Sequence, residues 1–269
     1  MKNGSSFIPF VRLTAFLICT TAAAAELHPI VEVGSGYFFG ASDHGKWVKA
    51  ERAKKSIEDG VKYRVYGLTK ELGEAKGTKS AETEEVCPET LSVAFSPKPE
   101  KGVIALAATW NALLRKPRVA DTSQQVYVDA VRDFLQGRGI KEPKVKIKSV
   151  IRVDLDGDGE DEVLISATNY FSQDDSVSAN VAKGSYSAVI LRRVVAGKVR
   201  TQLVAGEFYP KAKHFAAPNE YEVSAVLDLN GDGKLEVVVH SAYYEGGATT
   251  IYACERDKII EVLSVACGV

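Results

Sequence analysis

One acidic loop occurs twice in this chain of 269 residues, and it restricts the fold more than any other feature. The first copy begins at Asp154 and the second at Asp228, and each is followed by an apolar run. Oxygen-bearing side chains occupy positions 1, 3, 5 and 9 of both copies: Asp154, Asp156, Asp158 and Glu162 in the first, and Asp228, Asn230, Asp232 and Glu236 in the second. Positions 4 and 6 are glycine. Such a loop gathers hard oxygen ligands around one centre, as calcium requires. It therefore predicts a metal site, a strand–loop–strand geometry and an internal repeat.

The sequence around the two loops excludes an EF-hand. An EF-hand needs a bidentate Glu at position 12 and a helix on each side. Position 12 is Ile165 in the first loop and Val239 in the second, and the flanks are rich in β-branched residues. A metal-free, Asp- and Gly-rich β-turn is the alternative, although clustered carboxylates without a cation repel one another.

The loops resemble the calcium loops of FG-GAP/VCBS-type repeats, the blades of integrin-like β-propellers, over residues of about 145–269. The resemblance implies that the backbone carbonyls of Glu160 and Lys234, at position 7, complete the two sites. Both loops depart from the family pattern because they have Glu rather than Asp at position 9. Asn230 lowers the charge of the second loop, so we expect two calcium sites, of which the second is weaker.

The second half of the chain, residues 144–269, is predicted to form two repeat units, 144–219 and 220–269. Strands are expected over 145–153, 163–171, 186–194 and 199–208, and then over 221–227, 237–244, 249–256 and 259–265. This repeated meander favours a mainly β fold, a small or irregular β-propeller-like array. Residues 171–184 form an insertion that we expect in a surface loop, either as a binding loop or as a tolerated addition.

The N-terminal region, residues 26–143, is predicted to be mixed but β-rich, with one or two helices. Strands are expected over 31–41, 62–68, 91–95 and 103–110, a short helix within 46–57, and a loop over 73–85. The clearest helix is expected over 121–137, capped by Asp121 or Thr122, with its apolar face formed by Val126, Ala130, Val131, Phe134 and Leu135. Residues 136–144 are the nearest thing to a linker.

The first 25 residues have the features of a secretory signal peptide. A basic start precedes an apolar run and a small-residue stretch that ends at Ala25, where we expect cleavage. The apolar run is too short for a membrane anchor. We therefore expect a secreted or periplasmic protein without a membrane span in its mature chain. The formal net charge of −1 provides no basic field for nucleic acid.

Three cysteines remain after residue 25: Cys87, Cys254 and Cys267. In the predicted hairpin Cys254 lies opposite Glu261, which puts Cys267 roughly 20 Å away at a rise of about 3.3 Å per residue. A disulfide requires Cα atoms within about 7 Å. Pairing of Cys87 with Cys267 or with Cys254 is therefore favoured, and three free thiols are the alternative.

Sequence motifs of catalysis are lacking. The chain has no Gly-x-Ser-x-Gly elbow, no phosphate-binding loop and no His-Glu-x-x-His, and its four histidines are scattered. His240 is expected to be a packing residue within an apolar strand. The sequence thus favours an exported calcium-binding module that contacts a protein or polysaccharide. The alternative is a secreted hydrolase or lyase with its active site in the N-terminal half.

Overall fold

The computed structural model describes residue 1 and residues 26–54, 57–79, 81–82, 87, 90–169, 179–255 and 258–268. Nearly all of the predicted signal peptide, residues 2–25, and residues 170–178 of the insertion and the strand before it lie outside the described residues.

The N-terminal region builds a seven-stranded antiparallel sheet and a small two-stranded one. Its elements are β1 (His28–Glu32), β2 (Phe38–Asp43), β3 (Lys46–Lys49), α1 (Ala50–Ala53), β4 (Lys62–Tyr66), β5 (Glu71–Gly77), β6 (Ala81–Glu82), β7 (Leu91–Ser92), β8 (Phe95–Ser96) and β9 (Ile104–Leu106). The large sheet has the order β3-β2-β1-β9-β4-β5-β8, and β6 pairs with β7.

Several of the predictions for this region are wrong in part. The strand expected over 31–41 is β1 and β2, which pair with each other across a turn, and the strand expected over 91–95 is divided between β7 and β8. The short helix expected within 46–57 is confirmed as α1, which begins at Ala50, after residues 46–49 have paired as β3 with β2. The loop expected from residue 73 is largely β5, which pairs with β4 although it contains two glycines. Pairing with β4 outweighs the local propensity of the glycines in β5.

The next sheet has five strands and carries the first acidic loop. Its region contains β10 (Arg118–Val119), α2 (Gln125–Gly137), β11 (Ile147–Val153), β12 (Glu162–Thr168), β13 (Ser185–Val195) and β14 (Lys198–Tyr209). The strands follow one another in chain order from β10 to β14. The acidic loop joins β11 to β12, and a two-residue turn with positive φ at Ala196 and Gly197 joins β13 to β14.

The last sheet is a four-stranded meander that carries the second acidic loop. It comprises β15 (Glu220–Leu227), β16 (Glu236–Tyr243), β17 (Gly246–Glu255) and β18 (Lys258–Gly268). The loop again joins the first two strands, β15 and β16. The eight strands predicted over the second half of the chain are therefore confirmed, with their bounds shifted by a few residues.

The three large sheets form a stack in which the β15–β18 sheet is the middle layer. Val238, Ile251 and Leu227 on one face pack against Ile30 and Leu106 of the N-terminal sheet. On the opposite face, residues including Val237 and Val239 pack against residues including Ile151, Leu164 and Leu191 of the β10–β14 sheet. Successive strand residues point to opposite faces, so the run Val237-Val238-Val239 contributes to both interfaces.

Helix α2 covers the outer face of the β10–β14 sheet. Tyr127, Val131 and Leu135, spaced four residues apart, are buried against residues such as Ile165 and Ile190. The helix is confirmed, but its predicted cap is wrong: Gln124 is the N-cap residue and makes no side-chain cap. Asp121 instead accepts hydrogen bonds from the backbone N–H and the hydroxyl of Ser123. The predicted apolar face is also displaced, because Val126 is 53% exposed.

The disulfide joins the N-terminal region to the last strand. Cys87 is bonded to Cys267 with a Cα–Cα distance of 5.6 Å. The expected register of the last hairpin is wrong by two residues, since Cys254 lies opposite Ile259 and Tyr252 opposite Glu261. Burial raises the pKa of the free Cys254 thiol to about 12.

The mainly β fold class is confirmed, with antiparallel sheets and two helices. Among the described residues the sheets do not close into a barrel or a propeller. No helix within the described ranges is both long and apolar enough to cross a membrane.

Candidate metal centre

The two acidic loops share one hydrogen-bond framework. The carboxylate at position 1 accepts the backbone N–H groups of positions 4 and 6: Asp154 bonds Gly157 at 2.6 Å and Gly159 at 3.0 Å, and Asp228 bonds Gly231 at 2.7 Å and Gly233 at 3.1 Å. Gly159 and Gly233 have φ of 91° and 85°, a conformation that glycine adopts without strain. The loops therefore have the same fold around the same side chain.

The glutamate at position 9 closes each loop onto its start. Glu162 Oε2 accepts the backbone N–H of Leu155 at 2.8 Å, and Glu236 Oε2 accepts that of Leu229 at 2.8 Å. Both glutamates are buried, with 7% and 2% exposure. Glu at position 9, where the FG-GAP/VCBS pattern has Asp, thus lies at the base of the loop.

At position 7 each loop contributes a backbone N–H to its hydrogen bonds. Glu160 N–H donates to Asp158 at 2.8 Å, and Lys234 N–H donates to Asp232 at 2.9 Å. In the second loop Asn230 Oδ1 also accepts the N–H of Asp232 at 2.9 Å. These bonds hold the position-5 carboxylates in place without using the position-7 carbonyls.

The carboxylates of the first loop lie closer together than those of the second. Oxygens of Asp154, Asp156 and Glu162 lie within 4.8 Å of one another, the one such group of three among the described residues. Burial, reinforced by the charges of Asp156, Asp158 and Asp154, raises the pKa of Glu162 to about 7.

In the second loop, too, burial and the charges of neighbouring carboxylates raise the pKa of acidic side chains. The pKa of Glu236 lies well above its usual value, chiefly because the side chain is buried. The pKa of Asp228 is raised for the same main reason. An all-oxygen donor set whose members disfavour one another's charge fits a hard divalent cation, which would offset that repulsion.

Arg115 lies between the two loops and binds both. Its Nε donates to the carbonyl of Asp154 at 2.5 Å, and its Nη2 donates to the carbonyls of Leu155 at 3.0 Å and Gly233 at 2.9 Å. The backbone N–H of Leu235 donates to Leu155 O at 2.8 Å, which joins the loops directly. The two candidate sites therefore belong to one hydrogen-bonded unit.

Trp110 contacts the second loop at the same position at which Arg115 contacts the first. Its Nε1 donates to the carbonyl of Asp228 at 2.8 Å, and its ring lies 3.3 Å from where a Cβ on Gly231 would be. Arg115 likewise bonds a position-1 carbonyl, and its Nη1 lies 3.4 Å from the Cβ position of Gly157. The segment that joins the N-terminal sheet to α2 thus contacts both loops at matching points.

Sequence reasoning missed Trp110 and Arg115 as parts of the site. Trp110 contacts a residue 118 positions away, and Arg115 contacts residues 39 and 118 positions away. No local sequence pattern marks contacts over such distances. His240, expected to pack in an apolar strand, is instead exposed, with its Nδ1 3.0 Å from Thr249 Oγ1.

A cavity of about 800 Å³ opens beside the second loop. Asp232 and Glu236 line it from the loop, together with Trp47 and Lys258 from the neighbouring strands. Asn230 Nδ2 donates across to the carbonyl of Gly45 at 3.4 Å. The second loop is therefore partly covered, with Asp228 and Asn230 buried, whereas the first loop is mostly exposed.

Comparison of the chain with protein-family models, with curated proteins and with solved structures found no match. The resemblance to FG-GAP/VCBS-type repeats stays a prediction based on the loop residues.

Proposed function

We propose that this protein is an exported, calcium-braced β module that binds a protein or polysaccharide partner. The observation that carries the proposal is the doubled loop framework: two loops, 74 residues apart, hold the same oxygen set with the same hydrogen bonds. Burying Glu162 and Glu236 beside other carboxylates is costly in charge repulsion, and a bound cation would offset that cost.

The role that we propose for the metal is structural. Each donor set comes from a single loop, and that loop is fastened to the other through Arg115. A cation that fixed either loop would therefore stiffen the interface between the two meanders, which are layers of an open, propeller-like stack. The proposed ligands are Asp154, Asp156, Asp158, Glu162 and the Glu160 carbonyl, and Asp228, Asn230, Asp232, Glu236 and the Lys234 carbonyl.

Export is proposed from the first 25 residues and is supported by the disulfide. Cys87–Cys267 is a bond typical of oxidising compartments. The proposed partner surface includes Tyr243 and Tyr244, whose rings lie 5.8 Å apart at 88°. Tyr244 is 46% exposed, as an aromatic platform for a sugar or a peptide would be.

Calorimetric titration of the metal-free protein with CaCl2 tests the metal sites. We expect two binding events in the parent protein and one each in Glu162→Gln and Glu236→Gln. Glu160→Gln is the matched control, because it removes a charge from the same loop while keeping the position-7 carbonyl. Titration with MgCl2 in parallel tests selectivity. Absence of heat with both ions would remove the proposal, and unchanged stoichiometry in both glutamine variants would place the ions elsewhere.

One observation bears on the alternative of a hydrolase or lyase. A second cavity joins Glu32 of the N-terminal region with Glu222 and His240 of the last sheet. Thr249, the hydroxyl within this group, is 2% exposed and donates its proton to Glu32. A hydroxyl that is buried and already donates its proton is better suited to a binding site than to nucleophilic attack.

A further inference from the structure

The second cavity lies between the N-terminal sheet and the last meander and has a volume of about 460 Å³. Leu68 and Val103 give it apolar walls, and Glu32, Glu222, His240 and Thr249 give it polar ones. This size is within the range of small-molecule sites, which are mostly apolar with a few placed polar groups.

Three neighbouring strands present the polar wall as a row. Glu222 on β15 lies directly opposite His240 on β16, and His240 lies directly opposite Thr249 on β17. Directly paired residues point to the same face of a sheet. A carboxylate, an imidazole and a hydroxyl therefore stand side by side, and Glu32 at the end of β1 closes the row from the other sheet.

The hydrogen bonds fix which atoms remain for a ligand. The Thr249 hydroxyl donates to Glu32 Oε1, and the Ser35 hydroxyl donates to Glu32 Oε2. Thr249 has one proton and gives it to Glu32, so its oxygen must accept from His240 Nδ1 at 3.0 Å. In the neutral ring Nδ1 then carries the hydrogen, and Nε2 is an acceptor. Glu32 is held in one orientation by two donors.

The polar side chains of this cavity are therefore left with acceptor atoms for a ligand, since the Ser224 hydroxyl also gives its proton away, to Val238 O. Glu32 and Glu222 supply two carboxylates, and no lysine or arginine is among the described residues that line the cavity. Negative charge beside apolar walls suits an organic cation.

We propose that this cavity binds a small organic ammonium compound, with the ammonium group among Glu32, Glu222 and His240 Nε2 and the apolar body against Leu68 and Val103. The site is separate from the acidic loops and does not rest on calcium binding. It would give the module a ligand of its own, held at the junction of two sheets.

The test uses phenethylamine hydrochloride as the probe, with the protein kept in calcium chloride. Titration is followed by the NMR shift of the His240 Cε1 proton, which is identified by its absence in His240→Gln. We expect saturable binding with a Kd of about 1 mM or tighter. The uncharged 2-phenylethanol and the anionic 3-phenylpropionate should bind at least about tenfold more weakly.

Glu222→Gln should weaken phenethylamine binding by about tenfold or more, because it removes one of the two facing charges. Glu222 is exposed, so this variant should fold, and an unchanged melting curve checks that. Glu255→Gln is the matched control, since it removes an exposed charge from β17 at the other cavity and should leave the Kd unchanged.

The proposal would be overturned by no saturable shift of the His240 proton, by equal binding of 2-phenylethanol, or by equal effects of Glu222→Gln and Glu255→Gln. A shift produced by micromolar ZnCl2 without the amine would also overturn it, in favour of a metal.

Discussion

Arg115 is the residue through which the two acidic loops contact each other most extensively. It is half-buried and donates to three carbonyls, two in the first loop and one in the second. A planar guanidinium can serve three acceptors at once, which an ammonium group on a flexible stem cannot do with the same geometry. Its position explains how two loops that are far apart in sequence adopt one common arrangement.

Replacement of this side chain, Arg115→Ala, should lower the free energy of unfolding by about 2–4 kcal/mol, because it leaves three carbonyls without their donor. Chemical denaturation followed by circular dichroism measures the change. Arg118→Ala is the control: Arg118 pairs with Asp161 at the surface, its side chain is 69% exposed, and its loss should cost under about 1 kcal/mol. Equal effects of the two substitutions would show that Arg115 does not hold the loops.

Trp110 offers a narrower test at the second loop. Trp110→Phe keeps an aromatic ring against Gly231 but removes the N–H that donates to Asp228 O. We expect a loss of about 1 kcal/mol in unfolding free energy, the usual contribution of one such hydrogen bond. Trp47→Phe makes the same change at the other tryptophan, away from the loop carbonyl, and should cost less. A larger loss in Trp47→Phe would contradict the role given to the indole of Trp110.

At the scale of elements, the sequence predicted the second half of the chain far better than the first. Strands β11–β18 alternate or run apolar between clear turns, so pattern and structure agree. In the N-terminal region, β3 has only four residues and β5 contains two glycines, so pairing with β2 and β4, rather than a local pattern, makes them strands. The acidic loops could be found from spacing alone. Trp110, Arg115 and the His240 cavity depend on contacts between distant segments, which spacing does not encode.

Helix α2 should stabilise the protein without affecting the two acidic loops. Leu135 is 1% exposed against the outer face of the β10–β14 sheet, so Leu135→Ala should cost about 2–5 kcal/mol of unfolding free energy. Val126→Ala, on the same helix but 53% exposed, should cost under about 0.5 kcal/mol. Denaturation curves and calcium titrations of both variants provide the measurement. Loss of a calcium site in Leu135→Ala would show that the helix and the loops are coupled.

At the scale of the whole molecule, the disulfide closes a loop that spans most of the chain. Cys87 and Cys267 are 180 residues apart, and their bond joins the N-terminal region to β18. Replacing both, as Cys87→Ser with Cys267→Ser, should lower the free energy of unfolding by about 2–5 kcal/mol. A reducing agent should destabilise the parent protein by a similar amount and leave the double variant unchanged. An equal response of both to the reducing agent would assign the effect to something other than this bond.

Because the sheets are stacked, the proposed metal binding would be a property of the whole molecule rather than of two separate turns. The first loop joins β11 to β12 in one meander, and the second joins β15 to β16 in the next. The Leu235 N–H of the second loop donates to Leu155 O of the first at 2.8 Å. Calcium at 100 times its Kd adds about 2.7 kcal/mol per site. For a chain of this size, each kcal/mol shifts the melting temperature by about 2–4 °C. Excess EGTA should therefore lower the melting temperature by roughly 5–20 °C in one cooperative transition.

Glu162→Gln and Glu236→Gln should each keep part of the calcium-dependent shift, and Glu160→Gln all of it. An identical melting curve with and without the chelator would reduce both loops to metal-free turns, and two separate transitions would show that the contacts of Arg115 and Leu235 do not couple them.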